Sequence, residues 1–119
     1  MNANTAFDLA GFTRATEERN AETLLGSYAD DAEVTIVDRN HPPRSPQVLT
    51  GKDQIRPWLE DTYSRDMTHR VVDPVVGEDR VALTTLCRYP DGTTVWCACT
   101  ADIAAGLITR QNVVQVWDE

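Results

Sequence analysis

The 119-residue chain has a formal net charge of −8 and is 41% hydrophobic, which predicts one globular domain spanning residues 1–119. Its acidity argues against nucleic acid or an anionic membrane as a partner, and no apolar run approaches the roughly 18 residues that a membrane span needs. Since residues 1–5 also lack the basic and apolar segments of a signal peptide, we expect a cytoplasmic location.

Two helices are predicted at the start of the chain. Thr5 can cap the first, with Asp8 as its capping-box partner, and the apolar spacing continues to about Arg19. Asn20 can cap a second, shorter helix, whose core-facing spacing reaches Tyr28. The chain therefore begins with helices that each have one apolar side.

The next segment changes from helical to strand chemistry. Asp30 and Asp31 are expected to stop the second helix, because their short side chains compete for backbone donors. The alternating run Glu33–Asp38 is predicted to be the first strand, with Asp38 on the same face as Val34. On that face, Asp38 is either the exposed end of the strand or a carboxylate in a pocket.

The segment Arg39–Pro46 contains three prolines, which exclude a helix or a central strand. It is basic on an acidic protein, so it is either an exposed connector or the rim of a site for an anionic ligand. A short strand at Gln47–Thr50 follows. A third helix is predicted from Gly51 onwards, with Trp58 on its apolar face.

The second half of the chain reads as a meander of four long strands. They are predicted at Met67–Val76, Arg80–Tyr89, Val95–Ile103 and Leu107–Trp117. Closing the Asp91-Gly92 hairpin with a two-residue loop places Cys87 opposite Trp96. Closing the preceding turn with three residues places His69 opposite Cys87. His69, Cys87 and Trp96 then share one face, which Asp102 continues along its own strand.

In kind and order, these elements resemble the nuclear-transport-factor-2-like superfamily, also called SnoaL-like or ketosteroid-isomerase-like. The resemblance rests on Tyr28–Ala32, Gly51–Leu59, the Gly106–Ile108 turn and Gln115–Trp117. It implies an α+β fold, in which a cone-shaped, curved, mainly antiparallel mixed sheet packs on a long N-terminal helix and two shorter helices. It also implies a deep apolar pocket at one end of the cone and homodimers formed through the outer face of the sheet.

Ketosteroid isomerase is the closest mechanistic template, and the resemblance reproduces one of its three catalytic positions. The position of its aspartate base falls on Ile36, for which Asp38 is a displaced candidate. Its tyrosine donor falls near Phe12, which has no hydroxyl. Its protonated aspartate falls on Asp102, in a matching local context. We therefore do not expect steroid isomerisation of that type.

The candidate catalytic residues are His69, Asp102 and Asp38. His69 is either a general acid or base, because histidine titrates near neutrality, or a strand-start histidine bonded to backbone. Asp102 would be costly to bury as a charged group, so it is either paired in the pocket or exposed at a strand end. The candidate substrate-binding residues are Phe12, Tyr28, Trp58, Trp96 and Trp117. In the sequence, residues of a pocket wall and residues of an ordinary hydrophobic core have the same pattern.

These residues favour cofactor-free acid–base chemistry on a small apolar or aromatic-ring molecule, of the isomerase, dehydratase, cyclase or epoxide-hydrolase type. The alternative is a non-catalytic ligand-binding or dimerisation module of the same fold. No metal-ligand spacing, phosphate loop or nucleophile elbow is evident, so neither a metal nor a cofactor is expected. Cys87, Cys97 and Cys99 are odd in number, so reduced core thiols are expected rather than disulfides.

Overall fold

The structure is a computed structural model that describes residues 6–118, and its largest element is one six-stranded sheet whose strands alternate apolar and polar residues. Within these residues the elements are α1 (Leu9–Glu17), α2 (Ala21–Leu25), β1 (Tyr28–Val37), β2 (Gln47–Thr50), α3 (Lys52–Ser64), β3 (Thr68–Val76), β4 (Arg80–Arg88), β5 (Thr94–Ala104) and β6 (Leu107–Trp117). The sheet order is β2-β1-β6-β5-β4-β3, and β1 and β6 are the pair that runs parallel. The predicted α+β class, with a curved and mainly antiparallel mixed sheet, is confirmed.

The core lies between the helices and one face of the sheet, which we call the inner face. In β1, Val34 and Ile36 are buried on this face, whereas Thr35 between them is only half-buried. Each helix adds apolar side chains at helical spacing to the same core. The helical contributions are Phe12, Ala15, Leu24, Leu25, Ile55 and Leu59. The longest helix among residues 6–118 has 13 residues, and none there has the length and hydropathy to cross a bilayer.

The N-terminal helix is shorter than predicted. Its N-cap is Asp8, whose Oδ1 accepts a hydrogen bond from the Gly11 amide at 3.0 Å. Thr5, the predicted cap, lies outside the described residues. The helix ends at Glu17, and Arg19 has a φ of +58°, which α-helical geometry does not allow. With nine residues, α1 is shorter than α3, so the expected long N-terminal helix is wrong in length.

The second helix also ends earlier than predicted, and the paired aspartates do not stop it. Its cap, Asn20, is confirmed, since the side chain accepts a hydrogen bond from the Thr23 amide at 3.0 Å. The helix closes at Gly26, so the chain is already extended at Asp30 and Asp31. Both aspartates lie in an irregular stretch of β1, where the pairing with β6 shifts register, and both face solvent.

The β4–β5 hairpin differs from the prediction by one residue. Its loop has three residues, because the Tyr89 amide donates to the Thr93 carbonyl at 2.9 Å and the Gly92 amide donates to the Tyr89 carbonyl at 3.0 Å. Gly92 has a φ of +94°, a left-handed conformation that completes a three-residue hairpin loop. Cys87 therefore pairs with Val95 rather than with Trp96.

A one-residue slip turns every side chain of β5 to the opposite face of the sheet. The predicted inward positions of Trp96 and Asp102 are therefore wrong. Trp96 lies on the outer face and is 50% exposed. Asp102 is also on the outer face, where its Oδ1 lies 3.1 Å from Nε of Arg80. The inner face of β5 instead carries Val95 and two of the cysteines.

The pairing of β3 with β4 places His69 opposite Cys87, as predicted. Near the turn the register differs, because Val76 pairs with Val81. An irregularity around Asp73, which has a φ of +54°, restores the predicted register further along the strand. The bulge therefore cancels the error in the predicted turn.

Candidate functional site

A cavity of about 1230 Å³ lies between the inner face of the sheet and the helices. Four of the five predicted substrate-binding residues line it, namely Phe12, Tyr28, Trp58 and Trp117. Ligand sites of drug-sized molecules typically measure roughly 300–1,000 Å³. The cavity is therefore large enough for a ring-containing small molecule.

The rim of the cavity is built around Trp117, near the end of β6. The Tyr89 ring stacks on it at 5.9 Å between centroids, and the Arg39 guanidinium lies 4.1 Å from the centre of its ring. Asn40 and His41 line the cavity beside Arg39. The two alternatives for the loop after β1 were an exposed connector and the rim of a site. Its first part, residues 39–41, lies at the rim of the cavity.

His69 is buried on the cavity wall, near the start of β3. Its Nδ1 lies 3.1 Å from Sγ of Cys87, and the Tyr63 ring packs on its imidazole at 4.6 Å between centroids. Its Nε2 is buried and has no hydrogen-bond partner among the described residues. A buried polar atom without a partner costs about 1–3 kcal/mol, so it marks a position where a ligand group would be stabilised.

A second histidine also lines the cavity, and sequence reasoning did not identify it. His41 Nδ1 lies 2.9 Å from Oδ1 of Asp38, which also accepts a hydrogen bond from the Asn40 amide at 2.9 Å. The backbones of Asp38 and His41 exchange two hydrogen bonds of 3.1 Å, which fixes this turn just after β1. In the sequence, the signal for this pair was the spacing Asp-x-x-His of Asp38 and His41, followed directly by two prolines.

Asp38 lines the cavity, which agrees with the pocket alternative for this residue. Its side chain is largely buried, whereas that of His41 is half-exposed. A carboxylate bonded to one imidazole nitrogen fixes the tautomer and leaves the other nitrogen free to exchange a proton. The pair therefore has the chemistry of a second acid–base group at the cavity.

Tyr28 is a buried side chain in the lining of the cavity. Its hydroxyl donates to Oε1 of Gln111 at 2.6 Å, and Gln111 Nε2 donates to Sγ of Cys99 at 2.8 Å. Burial raises the pKa of Tyr28, and the Gln111 contact only partly offsets that effect. The hydroxyl is thus neutral and occupied by a protein partner, so Tyr28 packs and positions other side chains.

Three free thiols face the cavity, from Cys87, Cys97 and Cys99. A hydrogen bond from Cys97 lowers the pKa of the Cys87 thiol, burial opposes this effect, and His69 lowers it further. Donating that bond raises the pKa of Cys97. Burial raises the pKa of Cys99 to about 11. Cys87 is therefore the one of these three thiols whose pKa is lowered.

The remaining predicted site residues, Trp96 and Asp102, lie outside the cavity. In the part of the chain that the structure describes, no group of three or more His, Cys, Asp or Glu side chains is placed to hold a metal ion. The cavity thus combines an aromatic wall with two histidines, one paired with a thiol and one paired with a carboxylate.

The sequence profile of the SnoaL-like domain matches residues 9–111, which is most of the chain. The chain belongs to the SnoaL-like family. The fold agrees with this assignment and with the wider nuclear-transport-factor-2-like superfamily. None of the curated protein sequences compared with the chain is significantly similar to it.

Solved structures of this SnoaL-like fold match the chain along most of its length. A candidate ketosteroid isomerase from Kribbella flavida is 15% identical with a TM-score of 0.73, and the match covers 92% of this chain and 74% of that one. An NTF2-like protein of unknown function from Cytophaga hutchinsonii is 13% identical with a TM-score of 0.71, and the match covers 90% of this chain and 95% of that one.

SalBIII, an epoxide hydrolase/cyclase-like enzyme of pyran ring formation in the polyether salinomycin, is also similar. It is 17% identical with a TM-score of 0.66, and the match covers 92% of this chain and 87% of that one. Identities this low establish a shared fold. The chemistry of this chain has to be argued from its own cavity.

Proposed function

We propose that this protein binds a small apolar or ring-containing molecule in the cavity and performs cofactor-free acid–base chemistry on it. The observation that carries the proposal is Nε2 of His69, a buried nitrogen on the wall of a ligand-sized cavity that has no hydrogen-bond partner within residues 6–118. Imidazole transfers protons well near neutral pH, so this nitrogen is suited to be the general acid or base.

The aromatic wall accounts for the preferred class of ligand. Phe12, Trp58 and Trp117 offer flat apolar surfaces to the cavity, and such surfaces bind rings by stacking and by excluding water. Excluding water also strengthens the electrostatic interactions of His69 with a bound polar group.

The Asp38–His41 pair supplies a second proton-transfer group in the proposal. Isomerisation, dehydration, cyclisation and epoxide opening each need one group to remove a proton and another to donate one. His69 and the Asp38–His41 pair fill these two roles, and none of the four reactions needs a redox step. The similarity to an epoxide hydrolase/cyclase-like enzyme supports this class of reaction.

Proton exchange on cyclic ketones tests the proposal without knowledge of the natural substrate. The protein is mixed with a series of one- and two-ring ketones in D₂O, and NMR follows deuterium uptake at the carbon next to the carbonyl. The wild type should accelerate uptake for at least one ketone, and His69→Gln should lose about 10²-fold or more of the acceleration. Tight binding of ring ketones with no accelerated exchange would instead indicate a non-catalytic binding module.

We also propose that the protein is a homodimer formed through the outer face of the sheet. Trp96 pairs with Val116 across β5 and β6, and Val114 lies two residues away on the same strand face. These three side chains are 50%, 63% and 42% exposed, respectively. Single exposed apolar residues are common, but neighbouring ones on adjacent strands indicate an interface.

A further inference from the structure

Cys87 is a cavity-facing thiol for which the proposed acid–base chemistry has no use. It lies on β4 directly opposite His69 on β3, so the two side chains meet on the inner face of the sheet. The contact between Sγ and Nδ1 is 3.1 Å, within reach of proton transfer. A thiol beside an imidazole in a ligand-sized cavity is the arrangement that activates cysteine as a nucleophile.

We infer that Cys87, with His69 as its base, forms a covalent thioether with an α,β-unsaturated carbonyl compound bound in the cavity. The inference rests on the proposed ligand cavity, but it does not require that the protein turn over a substrate. It adds a nucleophilic site to a cavity otherwise assigned to proton transfer.

The neighbours of Cys87 separate it from the other two thiols. The neighbouring Cys97 thiol lowers the pKa of Cys87, and the same interaction raises the pKa of Cys97, so that Cys97 stays protonated. Cys99 is half-buried and instead accepts a hydrogen bond from Nε2 of Gln111. Burial raises the pKa of Tyr63, whose ring covers His69, so that this phenol stays neutral.

The class of electrophile follows from the surroundings of the sulfur. Displacement reactions release an anionic leaving group, which the apolar side chains of Met67 and Val95 packed beside Cys87 would solvate poorly. Addition to a conjugated double bond releases nothing. Sulfur is also a polarisable nucleophile, and conjugated carbonyl compounds accept it at the β-carbon without an oxidant or a cofactor.

The proton balance uses both nitrogens of His69. In the reactive form Nδ1 holds the proton of the Cys87 thiol, and the thiolate sulfur forms a bond to the β-carbon while the π electrons move onto the carbonyl as an enolate. Nε2, which has no partner among the described residues, then gives a proton to the α-carbon. The products are a saturated thioether and a neutral imidazole in its other tautomer.

The test uses 2-cyclohexen-1-one as the probe and intact-mass and peptide mass spectrometry as the readout. Wild-type protein should gain one probe, located on Cys87, with Cys97 and Cys99 unmodified. Between about pH 6 and pH 8 the labelling rate should stay nearly constant, whereas that of glutathione, with an ordinary thiol pKa, rises about tenfold per pH unit.

Variants separate activation from mere accessibility. His69→Gln should make the pH dependence steeper, because the imidazole no longer lowers the pKa of Cys87. Cys97→Ala should make it at least as steep, because Cys97 is the larger cause of the lowered pKa, whereas Cys97→Ser, which still has a hydroxyl donor, should retain the flat profile. Equal labelling of all three thiols, or a wild-type profile as steep as that of glutathione, would overturn the inference.

A saturated probe distinguishes failure of this inference from failure of the proposed function. Cyclohexanone binding is followed by saturation-transfer NMR on wild type and on Cys87→Ser. If cyclohexanone binds while cyclohexenone leaves Cys87 unmodified, the covalent site is wrong and the ligand cavity stands. If cyclohexenone labels Cys87 but no ring ketone shows accelerated proton exchange, the covalent site stands and the acid–base function is wrong.

Discussion

His69 and Cys87 lie opposite each other on adjacent strands, with Nδ1 of the imidazole 3.1 Å from the thiol sulfur. This contact orients the imidazole and occupies one of its nitrogens. The other nitrogen, Nε2, is left buried without a partner in the described part of the chain, on the wall of a large cavity. The candidate site is organised around this pair.

The two carboxylates nominated from the sequence should behave differently. Asp38→Asn should slow ketone proton exchange by at least about tenfold, because the amide no longer stabilises a protonated His41 and a positioned acid–base group contributes typically 10²–10⁴-fold. Asp102→Asn is the matched control on the outer face and should leave exchange unchanged. Its exposed contact with Arg80 is worth at most about 1 kcal/mol of unfolding free energy. Loss of exchange in Asp102→Asn alone would contradict this assignment.

Removing the Tyr28 hydroxyl should affect stability. Tyr28→Phe leaves the buried Oε1 of Gln111 without its donor, and this should lower the free energy of unfolding by about 1–3 kcal/mol in urea titrations. The double variant Tyr28→Phe/Gln111→Leu should recover part of the loss, since both partners are then apolar. A Tyr28→Phe protein of unchanged stability would show that the hydroxyl has no stabilising bond to Gln111.

The hairpin that decides the faces of β5 should depend on Gly92. Its φ of +94° is costly for β-branched residues, so Gly92→Val should lower the free energy of unfolding by roughly 1–2 kcal/mol. Gly92→Asn should lower it by less, because asparagine tolerates left-handed backbone better. No atom lies within 4 Å of a Cβ built at this position, so steric clash is not a competing explanation. Equal losses in both variants would argue against a left-handed Gly92.

The Cys87 thiol should make stability depend on pH. A pKa lowered to about 5 in the folded protein, from an ordinary value of 9.0, means that the unfolded chain binds more protons between these values. The free energy of unfolding should therefore rise with pH across this window in wild type relative to Cys87→Ser. The advantage should be lost as the pH falls towards 5. A difference between the two proteins that does not vary with pH would contradict a lowered thiol pKa.

The proposed dimer should depend on Trp96. Trp96→Lys places a charge in the exposed patch on the outer face and should convert the dimer into a monomer in light-scattering measurements at micromolar concentration. The control is Thr84→Lys, on β4 opposite Ala98 of the same face, which tests whether any added charge is sufficient. A wild-type protein that is monomeric in the same measurement would exclude the proposed dimer.

The sequence predicted the elements well where local chemistry determines them. Asn20 caps α2 through its own side chain, and Val34 and Ile36 identify the buried face of β1 by simple alternation. The position of His69 on the inner face was also predicted correctly. It was correct because two deviations from the predicted register of β3 and β4, one at their turn and one at Asp73, cancel each other.

The errors arise where one residue of loop length changes the geometry. Pro90-Asp91-Gly92 is compatible with a loop of two or of three residues. The three-residue loop that forms shifts β5 by one residue from the predicted register, and this shift places Trp96 and Asp102 on the outer face. His41 was missed for a related reason. Its contact with Asp38 is formed by a turn within a proline-rich loop, whose conformation no alternation pattern indicates.

We expect Nε2 of His69 to act on a molecule bound in the cavity. The most direct measurement is a crystal structure at neutral pH of the protein with a ring ketone that it binds. We expect the ring to lie against the aromatic wall, with its oxygen, or the carbon beside it, within hydrogen-bond or proton-transfer reach of Nε2. A ligand bound elsewhere, or an Nε2 bonded to the protein in a cavity filled by side chains, would contradict the account.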